Sequence, residues 1–317
     1  GSPVEMPWLD RVPAVLEGYL GGQAWGSAVA DLLWGRTNPS GKLAETFPRR
    51  IEDTPGFLNF PGDGAKVEYR EGVFVGYRYY DAAKVEPLFP FGHGMSYTEF
   101  KFGQLRIERS LYTEDEIVRV SVPISNAGSV AGGEVVQLYV SDLSASVTRP
   151  PKELKAFGKV FLEPGETSIV AWELDRRAFA FWSVEERRWL VETGRFELAV
   201  GSSSRDLRSS SHIEMRSTKP LRGRYDQSTA LGTLVDHPEA GAIASALLEK
   251  LIPVFGSYEP GTAAEKMMAF FARGMPLRNV VRMTGGELLS VEACEKLCTI
   301  LNRGATAEEI ASLFPSW

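Results

Sequence analysis

The sequence predicts a multidomain chain of the α/β plus all-β class: the C-terminal portion of an α/β sandwich domain, then an antiparallel β-sandwich, then a short α-helical extension. Three observations carry this. At 317 residues the chain exceeds one ordinary domain and fits about two. Its apolar periodicity changes twice, from one helix among Gly/Pro turns to period-two runs, and then to helical spacing near the C-terminus. Its composition, 44% hydrophobic, 24% charged and 11% aromatic, is that of a folded globular protein. The expected divisions are 1–99, 100–215 and 216–317.

In residues 1–99 the spacing predicts one helix, Gln23 to Trp34. Ala24, Ala28 and Leu32, with Trp25, Val29 and Leu33, fall at helical spacing, and Gly35 stops it. Around it lie Gly- and Pro-rich turns: Asn38-Pro39-Ser40-Gly41, Phe60 to Gly64 and Phe89 to Gly94. One helix with a few extended pieces cannot bury its own apolar faces, so the segment reads as the last part of a larger α/β domain.

From about Phe100 to Met215 the pattern alternates. The runs Ile117–Val122, Val135–Val140 and Phe196–Val200 are separated by turn signals at Asn126-Ala127-Gly128, Pro164-Gly165 and Thr193-Gly194. This predicts a sandwich of about seven antiparallel strands, and without a Cys-Trp-Cys core the fibronectin type III variant fits best. Alternation puts Val136, Leu138 and Val140 on one face and Val135, Gln137 and Tyr139 on the other, so the mixed face is expected to pack against a neighbour and to brace the α/β segment.

Arg216 to Ser228, with Lys219-Pro220 and Arg222-Gly223-Arg224, reads as a linker or a strand-like tail. Beyond it the spacing predicts helices over Pro238–Leu251, Thr262–Arg273, Ser290–Asn302 and Thr306–Leu313, the third closed by Arg303-Gly304. Met267-Met268 and Phe270-Phe271 have no evident partner within so few helices, and an exposed patch there would favour association.

Several function classes lose support from the same residues. A net charge of −6 without a basic stripe argues against nucleic acid. No run reaches 18 apolar residues and the N-terminus lacks a charged segment followed by an apolar one, so no membrane partner is expected. Cys294 and Cys298, the only cysteines, make no zinc pattern and are expected as reduced thiols; such sparse use leans slightly toward the cytoplasm. His93, His212 and His237 are dispersed, so no metal set assembles, and no cofactor is expected. The glycines of Gly18–Gly22 and Gly92–Gly94 lack a following Lys-Ser/Thr and read as turns rather than phosphate loops.

The acidic clusters Glu52-Asp53, Glu114-Asp115-Glu116 and Glu185-Glu186 lie in loop or capping contexts with nothing to bring two carboxylates together in a dry pocket. Arg78 among Tyr77, Tyr79 and Tyr80 could stack on a sugar, but a bond to carbonyls or a carboxylate at a domain interface is the stronger reading. Trp8 and Trp25 are expected in a core rather than lining a sugar site. No catalytic, sugar-binding, cofactor or metal residue is therefore assigned.

Several blocks together resemble the family 3 glycoside hydrolases. They are Gly1–Trp8; Gly21–Gly35 with Asn38–Leu43; Tyr69–Asp81; Phe89–Phe100; Asn126–Asp142; and Arg149–Phe157. They span most of residues 1–215. The tail, with Met275–Arg278 and Gly285–Leu289, is similar to an extension of some bacterial members. The resemblance implies the C-terminal part of a retaining β-glucosidase with a fibronectin III-like domain, acting on terminal β-glucosides or oligosaccharides. It also implies a nucleophilic Asp on a TIM barrel and an acid/base Glu upstream of the block that Gly1 begins. Neither is carried onto a residue here, so the chain alone is expected to be inactive, its partners being that barrel and the N-terminal half of the α/β domain. A standalone carbohydrate-binding or homo-oligomeric module is the alternative.

Overall fold

The computed structural model describes residues 1–184, 186–218 and 225–314. The chain divides into two compact units, Gly1–Pro220 and Leu221–Trp317.

The first unit begins with little regular structure. Helix α1, Trp25–Leu33, occupies the predicted stretch and is followed by Gly35 at φ +67°. A second helix, α2, Tyr77–Ala83, falls on the aromatic cluster that the periodicity left unassigned. It opens at Gly76 (φ 55°) and closes at a left-handed Lys84, so the backbone there is set by its two ends more than by an apolar stripe. Among the described residues before Phe100 the only strand-like pairings are isolated bridges, Phe47 with Phe89 and Asp63 with Lys66. Only Met6, Phe47 and Tyr80 are buried large apolar side chains there.

Trp8 and Trp25 are therefore not core residues, contrary to expectation: they are 37% and 41% exposed. A nine-residue helix offers no second layer to cover an indole ring. Trp25 instead lies over the preceding turn, where a Cβ on Gly18 or Gly21 would fall 1.5 or 2.5 Å from its ring. Those two glycines are thus turn glycines that make room for an aromatic plate.

The sandwich uses strands β1 (Phe100–Phe102), β2 (Arg106–Ile107), β3 (Leu111–Thr113), β4 (Val118–Asn126), β5 (Gly132–Asp142), β6 (Glu153–Leu162), β7 (Thr167–Leu174), β8 (Phe181–Ser183), β9 (Arg188–Leu190), β10 (Gly194–Gly201) and β11 (Leu207–Arg216). In one sheet β4 pairs antiparallel with β1, β2 and β7; the other runs β3-β11-β10-β5-β6; β8 and β9 form a separate hairpin. The expected seven antiparallel strands thus become nine in two sheets plus the hairpin, and β11 pairs with β3 in parallel. Strands of two or three residues are too short to show a period.

The inner faces follow alternation. Val118, Val120, Val122 and Ile124 of β4 meet Val136, Leu138 and Val140 of β5 and Phe196, Leu198 and Val200 of β10 in one cluster, all 3% exposed or less. Each such side chain contributes about 1.5–3 kcal/mol relative to leaving it in water. Strand β5 is covered on both faces, since Gln137 and Tyr139 on its other side are 3% and 0% exposed.

In the second unit the predicted helices are present, three of them with side-chain caps. They are α4 (Gly241–Leu251), α5 (Ala263–Arg273), α7 (Val291–Arg303) and α8 (Ala307–Ala311). The Thr262 and Ser290 hydroxyls accept from Glu265 and Ala293 amides, Thr306 forms a capping box with Glu309, and Gly304 turns left-handed at φ 81° after α7. Two short helices were not expected, α3 (Leu231–Val235) and α6 (Leu277–Met283). They flank the Ala230–Pro276 bridge, which ties together segments 46 residues apart in sequence. The core includes Leu231, Leu251, Leu277, Val280 and Ile310, and within it lie Cys294 and Cys298, both free and buried. Met267, Phe270 and Phe271 of α5 are 67%, 80% and 60% exposed, the patch anticipated from the sequence. Of the linker reading, Arg216 closes β11, while Lys219-Pro220 and Arg222-Gly223-Arg224 lie outside the described residues.

Candidate functional site

Among the described residues, Asp53, Glu114, Glu116 and Glu186 of the acidic clusters are engaged in local hydrogen bonds and ion pairs. Asp53 bonds Arg50 at 2.8 Å beside Glu52 on a 3-10 turn. Glu114, buried, accepts from the Thr218 amide (3.1 Å) and hydroxyl (2.6 Å). Glu116 accepts from the Thr113 amide (2.7 Å) and pairs with Arg109 (3.0 Å); these bonds hold its carboxyl below the usual range. Glu186 pairs with Arg188 at 2.5 Å, and Glu185 lies outside the described residues.

His93 and His237 serve local structure. His93 stacks on Phe89 (5.4 Å), and burial, with Lys42 nearby, pushes its pKa down. His237 Nδ1 accepts from the Glu239 and Ala240 amides at 3.0 and 3.1 Å, and His212 stands exposed on β11. Among the described residues no group of three or more His, Cys, Asp or Glu could hold a metal ion, and no helix is long and apolar enough to cross a membrane.

The most organised polar feature is a seam where α2 and its flanking loops meet the outer face of β5 and β6. Arg78 does take the structural role, pairing with Glu153 at 3.3 Å. Glu153 also receives Lys155 (3.2 Å) and Arg149 (3.0 Å), and Arg149, 7% exposed, bridges on to Asp142 (3.0 Å) and the Phe179 carbonyl (2.9 Å). Burial alone would raise Glu153, but Lys155, Arg149 and Arg78 together hold it below the usual carboxylate range. Asp142 goes the other way, its burial outweighing the Ser144 amide and Arg149. Lys155 is pushed down by burial against the pull of Glu153.

A second knot centres on Asp81 of α2, which pairs with Lys152 and, at 3.0 Å, with Arg205. Arg205 also donates to the Tyr80 and Val85 carbonyls at 3.2 and 3.1 Å. Between the knots the rings interlock. Tyr77 stacks on Phe91 (5.1 Å), meets Tyr139 edge-on (5.8 Å) and accepts the Leu154 amide at 2.7 Å. Tyr139 donates to Gln137 Oε1 (2.6 Å), whose amide donates to the Ser202 and Gly92 carbonyls (2.7 and 3.3 Å). Gly92 sits at φ +81°, and a Cβ there would lie 2.3 Å from Gln137 Oε1, so this glycine admits the amide. Lys42 and Glu134 close the row at 2.8 Å. Burial pushes the Tyr80 hydroxyl up to about 12 and raises Tyr139 further.

The sequence therefore marked Arg78 and its three tyrosines, and the blocks that carry the resemblance contain Asp81 and Arg149–Phe157, but it did not show which charge meets which. Arg205 lies in none of them and could have been found only through the pairing of opposite charges carried by segments far apart in sequence. A separate groove of about 560 Å³ lies over the loop between residues 51 and 71, with Phe57, Phe60 and Tyr69 on its walls beside Glu68 and Glu71. No periodicity or motif pointed to it.

Residues 1–97 match the glycosyl hydrolase family 3 C-terminal domain and residues 134–204 match the fibronectin type III-like domain. The chain is 46% identical over 302 residues to thermostable β-glucosidase B of Acetivibrio thermocellus, covering 95% of this chain and 40% of that protein. It is 42% identical to a β-glucosidase of Bacteroides ovatus over 68% of the chain and 29% of that protein. Among solved structures, the Bifidobacterium adolescentis β-glucosidase superposes with TM-score 0.64 at 40% identity, over 72% of this chain and 33% of that one. The Kluyveromyces marxianus β-glucosidase in complex with glucose gives 0.63 at 42%, over 67% and 26%. The chain thus spans well under half the length of the relatives it matches.

Proposed function

Because the chain belongs to glycoside hydrolase family 3, as the C-terminal part of a member of the β-glucosidase type, we propose that the whole protein is a retaining β-glucosidase releasing terminal non-reducing β-D-glucosyl residues. The observation that carries this is the relationship to the Acetivibrio thermocellus enzyme along almost the entire chain. Retention needs two carboxyl groups about 5–5.5 Å apart, one as nucleophile and one as acid/base. Asp53, Glu114 and Glu116 are held in local hydrogen bonds and ion pairs, which supports placing both carboxyls outside this chain. Its part is architectural: residues 1–99 close the α/β domain, 100–215 brace it through the seam, and 216–317 supply a linker and an appended helical extension. A TIM barrel and the N-terminal half of the α/β domain are its partners, and the exposed Trp34, Leu58 and Tyr69 support a docking role for the first segment.

A protein carrying the barrel as well as this chain is expected to hydrolyse a chromogenic β-glucoside with release of the β-anomer, and the 317-residue chain alone to give no turnover. Turnover by the lone chain, or release of the α-anomer by the whole protein, would overturn the reading. The second reading is a standalone oligomeric module, favoured by the exposed Met267, Phe270 and Phe271. A concentration-dependent mass of the lone chain that Phe270→Glu abolishes would support it.

A further inference from the structure

Helix α5 is finished at both ends and open along one side. The Thr262 hydroxyl accepts from the Glu265 amide, the Glu265 carboxylate accepts from the Gly261 amide at 2.6 Å, and Arg273 holds Asp236 through two bonds of 2.7 Å. Of its eleven residues, all described, only Ala272 is buried. Met267, Phe270 and Phe271 stand at i, i+3 and i+4 on one face and are 67%, 80% and 60% exposed. Phe255, on the preceding 3-10 turn, meets Phe271 edge-on at 5.9 Å, and its neighbour Val254 is 46% exposed. The helix is therefore ordered before anything covers it, and covering it costs little further ordering.

The helices lie beyond both matched family domains, which end at residue 204, so they are an addition to the glycosidase rather than one of its layers. A bilayer surface calls for a strongly basic polar face. Helix α5 has two basic residues, and Arg273 is held by Asp236. The exposed charges left over are opposite in sign: neither the Glu259 carboxylate nor the Lys266 ammonium has an ion-pair partner among the described residues. In a two-fold contact residue i of one copy meets residue j of the other, and j meets i. A second copy thus supplies an acid for each lysine and an apolar face for each apolar face. With aromatic side chains burying about 150–250 Å² each, the two faces together remove on the order of 1,000 Å² from water, at the small end of specific interfaces. We propose that α5 is the contact of a weak homodimer, packed against α5 of a second copy about a two-fold axis with each Lys266 facing the partner's Glu259. This deepens the oligomeric reading above by naming the occupant and its orientation, and it holds for the lone chain and for a whole glycosidase alike.

The test is sedimentation velocity on the 317-residue chain over about 1 to 200 μM. The weight-average mass is expected to rise from 34.9 kDa toward twice that value, with a dissociation constant on the order of 10 μM. Phe270→Glu, at a position too exposed to matter for folding, is expected to stay monomeric throughout with an unchanged melting temperature. Leu58→Glu, on the open surface of residues 1–99, is expected to dimerise like the parent. Lys266→Glu should weaken association about fivefold, and adding Glu259→Lys should restore it. A mass that stays at 34.9 kDa, or association that Phe270→Glu leaves intact, overturns the proposal and the oligomeric reading together. Association that Phe270→Glu abolishes but the double charge exchange does not restore overturns the two-fold pairing and leaves the oligomeric reading standing.

Discussion

Two neighbouring regions of one compact unit solve the burial problem differently. The sandwich hides its apolar residues on facing sheets, with Val118, Ile124, Val136, Leu138, Phe196 and Leu198 all fully covered. Residues 1–99, taken within this chain alone, leave theirs accessible: Leu20, Leu58 and Trp34 are 89%, 90% and 74% exposed. What fixes the second region to the first is mostly charge and ring geometry along the seam. The comparison teaches that a segment with almost no core of its own can still be placed, provided a neighbouring sheet offers it a satisfied polar face.

The largest expected effect tests the core side. Phe196→Ala removes a ring that meets Phe179 edge-on at 5.4 Å in a closed cluster. It is expected to cost about 3–5 kcal/mol in urea unfolding, whereas Trp34→Ala should stay within about 0.5 kcal/mol. Similar losses for both would break the contrast.

The seam comes next. Arg149→Leu leaves Asp142 and Glu153 short of a buried cation and is expected to cost about 3 kcal/mol at pH 7. Glu153 is held below its ordinary value, so in the native protein its contribution is present above about pH 4.3 and fades as pH falls through the folded-state value. Removing Arg149 raises that value, so the gap between variant and parent should narrow below pH 4.3 as the carboxyls protonate. A gap that widens in acid would contradict the role given to Arg149. The smallest effect sharpens the picture at one bond: Tyr77→Phe keeps the stack on Phe91 but orphans the Leu154 amide, for about 1–2 kcal/mol. The Leu154 amide should then exchange faster with solvent while amides of β4 are unchanged.

Much of the architecture was legible from residues alone. Thr262, Ser290 and Thr306 announced three helices because capping chemistry is local, and the alternation of β5 gave both of its faces. The short β2, β3 and β8 carried too few residues for a period, and α6, only seven residues long behind Pro276, was left unassigned. Trp8 and Trp25 misled because size and apolarity favour burial only where a second layer exists. The seam was half legible: Arg78 was marked as an interface residue, but Glu153 lies on a strand 75 residues away, and which carboxylate meets which guanidinium is decided by strand register. The groove was invisible, being shaped by the turn conformations of residues 51–71.

The double coverage of β5 has an evolutionary consequence. A sandwich separated from residues 1–99 would present Tyr139, Gln137 and Lys155 to water on a face shaped to receive Tyr77, Gly92 and Arg78. Such a cut leaves a sheet with rings and half-matched charges on its surface, an invitation to aggregate. A recombinant that moves the sandwich alone is therefore expected to be less soluble than one that carries residues 1–99 with it.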